Sequence, residues 1–306
     1  MRTIVVVGSL NMDFVAMVDR PPLPGETVSG TGFRTVPGGK GANQACAAGR
    51  LGGRTRMAGR VGHDVFGTQL RDSLAAAGVD VTAVRTADSE PTGVALIFVD
   101  ARGQNQIVIA SGANGCVTPA DAGAALDRTS DGYLLLQLET PLETVTAAAI
   151  DARQRGMTVI LDPAPARPLP QALLQSVDIV TPNETEALAL LGRPPAPVSL
   201  EDAPAIARAI RGLGVATAVL KLGANGAFLS TAVGERHFPA PPVTVVDTTA
   251  AGDTFNGALA VALAEGRSID DAISFANVAA ALKVTRFGAQ TSIPTRAEVD
   301  AFTSLG

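Results

Sequence analysis

The stretch Val177-Asp178-Ile179-Val180-Thr181-Pro182-Asn183-Glu184-Thr185-Glu186 is a short apolar strand that breaks at a polar, proline-containing turn and opens into a helix. The same unit recurs outward from it in both directions. Upstream, Tyr133 to Leu138 runs into Glu139-Thr140-Pro141 and a helical pattern from Leu142 to Gln154, and Met157 to Leu161 runs into Asp162-Pro163-Ala164-Pro165. Further upstream, Thr3 to Val7 ends at Gly8-Ser9, and Met57 to Val61 precedes a helix from Val65 to Ala77. Downstream, Thr217 to Leu222 ends at Gly223-Ala224-Asn225-Gly226, and Val243 to Val246 precedes an Ala-rich run from Ala258 to Ala264. Strands apolar along their whole length, alternating with helices, predict a parallel sheet covered on both faces.

A different pattern interrupts this rhythm twice. Phe14 to Val18 and Glu26 to Arg34 flank Pro21-Pro22-Leu23-Pro24-Gly25, and Thr92 to Val99 and Gln106 to Ala110 flank Asp100-Ala101-Arg102-Gly103. Short extended pieces around tight turns predict a small antiparallel sheet standing off the main one. The expected fold is therefore α/β: a three-layer sandwich with a mostly parallel central sheet flanked by helices, plus a small antiparallel β-sheet lid. One domain is expected over residues 1–306, with the lid formed by about 14–36 and 92–110. Such a lid excludes water from a crevice, and apolar residues on its outer face would favour a homodimer through the lid.

Composition excludes several classes of function. The chain has 306 residues, 46% of them hydrophobic, enough for a large core. A formal net charge of −5 with no basic run argues against a nucleic-acid surface. Cys46 and Cys116 are too few for a disulfide framework and lack metal-ligand spacing. Ile4 to Val7 is too short for a membrane span or a leader core, so a cytoplasmic location is expected. His63 reads as a turn residue and Arg193 to Pro197 as a surface loop.

Polar residues recur where the strands end, and in a parallel sheet those ends share one edge. Asn11, Asp13, Glu139, Asn183 and Glu186 are thus predicted to line one crevice. Gly38-Gly39-Lys40-Gly41-Ala42-Asn43-Gln44-Ala45 lacks the Ser or Thr after lysine that a nucleotide P-loop requires. Its glycines still permit close approach of backbone to a small ligand, with Lys40 and Asn43 as donors. Gly223 to Ala227 is either a nucleotide-contacting turn or a plain hairpin. The stretch Asp247-Thr248-Thr249-Ala250-Ala251-Gly252-Asp253-Thr254-Phe255-Asn256-Gly257 places small residues over the first turn of a helix, where free N–H groups and the helix dipole favour an anion. Asp253 is then either a helix cap or the base of a phosphoryl-transfer site. The loop Thr285 to Pro294, rich in carbonyls and close to an acidic partner in Asp247, has the make-up of a monovalent-cation site.

Taken together, Asn11-Met12-Asp13, the glycine-rich stretch around Gly39, Gly112-Ala113-Asn114, Gln137-Leu138-Glu139, Thr181 to Glu186 and the stretch ending in Asp253-Thr254-Phe255-Asn256-Gly257 resemble the PfkB carbohydrate-kinase family nearly end to end. The resemblance implies phosphorylation of D-ribose by ATP at the 5-hydroxyl, with Asp253 as base and Ala250, Ala251 and Gly252 as anion hole. It implies a sugar site of Asn11, Met12, Asp13, Gly39, Lys40, Gly41, Ala42, Asn43 and Glu139. An ATP site is implied at Asn183, Lys221, Leu222, Gly223, Ala224, Asn225, Gly226, Gly252, Asp253 and Asn277, with Mg2+ placed through water by Glu186. K+ is implied at Asp247, Thr249, Lys283, Arg286, Gly288 and Ser292, held largely by backbone oxygens. Other sugars (2-deoxyribose, fructose), a nucleoside acceptor and a silent sugar-binding regulator remain open; with no Trp and one Tyr, the nucleoside reading lacks aromatic stacking partners.

Overall fold

The computed structural model describes residues 1–306 apart from Gly103, Arg128, Leu305 and Gly306. In chain order the strands are β1 (Ile4–Val7), β2 (Asn11–Met17), β3 (Gly32–Gly38), β4 (Thr55–Val61), β5 (Asp80–Thr86), β6 (Gly93–Val99), β7 (Asn105–Ala110), β8 (Tyr133–Leu136), β9 (Thr158–Leu161), β10 (Ile179–Val180), β11 (Thr217–Lys221), β12 (Ala227–Ser230) and β13 (Glu235–Phe238). Nine of them form one sheet in the order β13-β12-β11-β10-β9-β8-β1-β4-β5, parallel from β11 to β5 and antiparallel at β12 and β13.

Alternating residues of one strand feed opposite cores. Ile4 and Val6 of β1 join Leu135, Ile160 and Val219 on one face, while Val5 and Val7 join Leu134, Leu136, Val159 and Leu161 on the other. All of these are fully or almost fully buried, which is why the strands read as unbroken apolar runs. Helices Lys40–Arg50, Ala251–Ala264 and Ile269–Val284 supply the first core. Helices Pro119–Leu126, Leu142–Gln154 and Ala203–Arg211 supply the second.

A close helix crossing positions the site. A side chain at Gly257 would stand 2.7 Å from the Gln44 carbonyl and 2.6 Å from Ala47 Cβ. Glycine and alanine thus let helices Lys40–Arg50 and Ala251–Ala264 approach almost backbone to backbone. That contact brings the first turns of both helices, with Asn43, Gln44 and Asp253, to the same end of the sheet.

The second sheet has the order β3-β2-β6-β7. Its outer pairs are antiparallel as expected, but its central pair, β2 with β6, is parallel. β2 leaves the main sheet directly after β1 and β6 directly after β5; since those two strands run the same way, their continuations enter the lid side by side. β3 runs over Gly32–Gly38 rather than from Glu26 to Arg34, and β2 begins at Asn11 rather than at Phe14, so that Asn11 and Asp13 lie within it. In the turn between β6 and β7, Gly103 lies outside the described residues.

Three further differences from the sequence reading have local causes. β5 is half-exposed at the sheet edge and lacks the apolar run that marks the inner strands. β12 and β13 form an antiparallel edge beyond the crossover units. Val243 to Val246 is not a strand: Val245 and Val246 are 56% and 59% exposed, and the Val246 N–H donates to the Val284 carbonyl at 2.7 Å instead of to a neighbouring strand.

Candidate active site

Between the lid and the ends of β1 and β8 lies a cavity of ≈ 560 Å³ lined by Asn11, Asp13, Gly39, Lys40, Asn43, Glu139, Asp253 and the segment 245–250. From above, Val15, Ala95, Ile97, Ile107 and Ile109 of the lid face it, one from every second position of their strands. Nothing local in the sequence sets these apolar residues apart from the rest of the lid. They can give a sugar ring an apolar ceiling over a polar floor.

The side of the cavity expected to take the sugar is built on glycine. A Cβ at Gly38 would stand 2.2 Å from Asp13 Oδ2, one at Gly41 would stand 2.6 Å from the Ser9 nitrogen, and Gly39 has φ 89° with its Cβ direction 2.7 Å from the Asn11 nitrogen. Only glycine lets the stretch lie against the β1–β2 junction. Glu139 accepts from Ser9 Oγ at 2.5 Å and from the Lys40 N–H at 3.1 Å. Asn114 holds Asn11: its Nδ2 donates to Asn11 Oδ1 at 2.7 Å, and its Oδ1 accepts from the Leu10 N–H at 2.8 Å. With Asn11 Oδ1 occupied, its amide N–H groups are the part left for a ligand. Met12 and Ala42 are buried on the core side and act as packing. Asp13 Oδ1 and Asn43 Oδ1 are buried and, among the described residues, have no hydrogen-bond partner, which leaves both open to a polar ligand.

The carboxylates here are crowded. Burial, then the charges of Glu139 and Asp253, push Asp13 up to about 7. Burial likewise raises Asp253, opposed by Lys40 and assisted by Asp162. Lys40 is penalised by burial, yet Asp253, Asp162, Glu139 and Glu186 around it hold its pKa above the ordinary lysine value. One ammonium thus balances several buried carboxylates.

Ala250, at φ 58°, is the left-handed residue before helix Ala251–Ala264, and no side chain caps that helix. The Ala251 N–H turns back to the Thr248 carbonyl at 3.1 Å. Among the described residues the N–H groups of Ala250, Gly252 and Asp253 donate to nothing, so of the residues expected to form an anion hole, Ala250 and Gly252 have theirs free and Ala251 does not. Asp253 does not cap the helix. Its Oδ2 accepts from Asn43 Nδ2 at 2.9 Å and its Oδ1 from Gln44 Nε2 at 3.2 Å.

Gln44 and Asp162 were not among the expected site residues. Gln44 Nε2 also donates to Asp162 Oδ2 at 2.9 Å, Gln137 donates to Gln44 Oε1 at 2.7 Å, and Lys221 Nζ pairs with Asp162 Oδ1 at 2.9 Å. Asp162 stands at the end of β9 as Glu139 stands beyond β8, so the strand-end rule that selected Glu139 selects it too. Gln44 directly follows Asn43, and the geometry alone reveals its role.

The segment expected to take the nucleotide lies beyond Lys221. Lys221 is committed to Asp162, and a Cβ at Gly252 would stand 3.2 Å from its Nζ, so the end of β11 meets the first turn of helix Ala251–Ala264 here. Leu222 is buried, whereas Gly223, Ala224 and Asn225 form an exposed turn. Gly226, at φ 83°, sits against the Phe238 carbonyl. Asn277 donates to that same carbonyl at 2.9 Å, anchoring β13 rather than pointing outward. Asn183 and Glu186 cap each other at the start of helix Glu184–Leu190: Glu186 accepts from the Asn183 N–H at 2.8 Å and from Asn183 Nδ2 at 3.0 Å.

Among the described residues no cluster of three or more His, Cys, Asp or Glu is arranged to ligate a metal directly. Buried Glu186 with neighbouring Asp162 does fit magnesium held through its own waters, the usual state of that ion beside phosphates. The residues expected for potassium come together but do not fit it. Lys283 Nζ is already among them, 2.8 Å from the Asp247 carbonyl. Both Asp247 carboxylate oxygens accept backbone N–H groups, from Thr249 and Gly288, each at 2.9 Å. Arg286 turns away to Glu298 at 2.6 Å, and Ser292 Oγ donates to the Gly288 and Ala289 carbonyls.

Residues 1–296 match the family model described as pfkB family carbohydrate kinase. The chain belongs to the PfkB family of carbohydrate kinases. It is 45% identical to the ribokinase of Bacillus subtilis, covering 99% of this chain and 100% of that protein. It is 43% identical to the ribokinase of Haemophilus influenzae, covering 98% of each. A solved structure of Arabidopsis thaliana ribokinase complexed with ribose and ATP superposes with a TM-score of 0.89, at 37% identity and 98% coverage of both chains. This PfkB kinase is therefore an ATP-dependent sugar kinase, and among its described residues no helix is long and apolar enough to cross a membrane.

Proposed function

We propose that the chain transfers the γ-phosphoryl group of ATP to the 5-hydroxyl of D-ribose, giving D-ribose 5-phosphate and ADP. The observation that carries this reading is the placement of buried Asp253 on the floor of the cavity, in the same helical turn as the free N–H groups of Ala250 and Gly252. A hydroxyl seated over Asp253 gives its proton to the carboxylate as its oxygen bonds to the γ-phosphorus and the bond to the β-phosphate oxygen breaks. Negative charge on the migrating phosphoryl is met by N–H donors that need no reorganisation. Asn43 and Gln44 keep the carboxylate pointed at the acceptor.

Asn11, Asp13, Lys40, Asn43 and Glu139 hold the ring hydroxyls, and the apolar lid residues exclude water. ATP lies along Asn183 and the turn 223–226, with Asn277 supporting that turn through β13. Magnesium, held through water near Glu186 and Asp162, would neutralise phosphate charge. Ribose is favoured as acceptor by the relatives' activity. A nucleoside is disfavoured because Tyr133, the one tyrosine, is buried with its hydroxyl on the Leu263 carbonyl. The exposed apolar residues Leu96 and Val108, paired across β6 and β7 on the face of the lid turned away from the cavity, support a homodimer through the lid, in a cytoplasmic enzyme.

Steady-state kinetics with ribose, 2-deoxyribose, fructose and adenosine, each with ATP and magnesium, test the acceptor. Ribose is expected to give the highest kcat/KM, with phosphate on O5 by NMR of the product. A higher kcat/KM for any of the others would overturn the choice of ribose.

A further inference from the structure

Lys283 is the largest fully buried side chain described, a lysine with 0% exposure near the C-terminal end of helix Ile269–Val284. Lysine is rarely buried without a charged partner. Its ammonium donates to the Asp247 carbonyl at 2.8 Å; burial lowers its pKa to about 8, and the charges on Asp247 and Asp253 oppose that fall. Asp247 opens the loop that ends in the anion hole. That loop is also tied to the end of the same helix, since the Val246 and Asp247 N–H groups both donate to the Val284 carbonyl, at 2.7 and 3.1 Å.

A monovalent cation beside such a loop would bring positive charge close to Asp247 and crosslink the loop to the end of the helix. Here a side chain of the chain itself does both. A second cation would stand next to a fixed ammonium, and the Asp247 carboxylate facing it already accepts two N–H groups. Repulsion between neighbouring like charges in a partly buried site is weakly screened, so such an ion gains little there.

We propose that Lys283 is the resident cation of the anion-hole loop, a positioning residue whose ammonium makes phosphoryl transfer independent of an added monovalent cation. The proposal rests on the sugar-kinase reading, and its test compares salts within an active enzyme, so failure of one is distinguishable from failure of the other. Turnover of the wild-type enzyme is measured with ATP and magnesium in tetramethylammonium chloride and in potassium chloride at equal ionic strength. The two kcat values are expected to agree within about twofold. Lys283→Met, close in shape and uncharged, is expected to lose at least about tenfold in kcat in tetramethylammonium, to regain most of it in potassium, and to keep the sugar KM. A wild-type kcat that rises more than about tenfold with potassium would overturn the proposal. So would a Lys283→Met enzyme that is as active as wild type in tetramethylammonium, or that is impaired and does not respond to potassium, which marks a packing role. Should the variant fail to fold by circular dichroism, the wild-type comparison still decides.

Discussion

Asn43 Nδ2 lies 2.9 Å from Asp253 Oδ2, joining the first turns of two helices 210 positions apart in the chain. The bond exists because Gly257 and Ala47 let those helices touch. It fixes one oxygen of the carboxylate proposed as the base, and leaves that group's remaining lone pairs open to an acceptor's proton.

Asp253→Asn keeps the size of the side chain and removes the base. The expected result is a fall in kcat of about two to four orders of magnitude, with ribose affinity by calorimetry largely retained. Near-normal turnover would show that Asp253 only orders the site.

Asp13 carries a pH signature. Its carboxyl is raised from 3.8 to about 7, chiefly by burial. The folded state therefore holds this proton more tightly than the unfolded chain, and stability present below pH 4 is lost as pH rises through about 7. Above that pH the loss reaches on the order of 4 kcal/mol at most. Asp13→Asn is expected to stabilise the sugar-free enzyme in urea unfolding, more at pH 8 than at pH 5, while raising the sugar KM far more than the ATP KM. A gain that does not grow with pH would place the ionised group elsewhere.

Asn114 tests indirect positioning. Replacing it with Ala leaves the Leu10 N–H and Asn11 Oδ1 without their partner, at a cost of about 1–3 kcal/mol in stability. Because Asn11 then loses its fixed orientation, the sugar KM is expected to rise several-fold more than the ATP KM. Equal changes in both constants would reduce Asn114 to a packing residue.

How far the sequence reaches depends on the range of the interactions concerned. The helix Ile269–Val284 and the strand ends at Asn11, Glu139 and Asn183 follow from local runs of apolar residues and the turns that stop them. Asp253 and the small residues before it stand out as a candidate because an anion site needs a recognisable local composition. Gln44 is not, since its role arises only when a third strand brings Asp162 and a fourth brings Gln137 to its amide. The parallel β2–β6 pairing is hidden for the same reason: it follows from two strands leaving a shared sheet in one direction, not from either hairpin. Lys283 reads as an ordinary helical lysine until the loop at Asp247 folds over it.

Gln44→Glu is the sharpest probe of the buried network. The substitution preserves shape but replaces the amide that serves Asp253 and Asp162 with a third carboxylate. Two acceptors lose their donor, and three negative charges face one another at hydrogen-bond distance, with Lys40 and Lys221 the nearest cations. When ionised, the new group is expected to destabilise the fold by on the order of 3 kcal/mol. Protonation relieves both faults, because a neutral carboxyl repels nothing and donates to one neighbour. Burial and the adjacent charges raise the pKa of the introduced glutamate, so its penalty grows as pH rises. Urea unfolding at pH 5 and pH 8 is expected to show the larger loss at pH 8, with kcat reduced at both because Asp253 no longer has its amide donor. A loss independent of pH would mean that the glutamate escapes to solvent and that Gln44 does not couple Asp253 to Asp162.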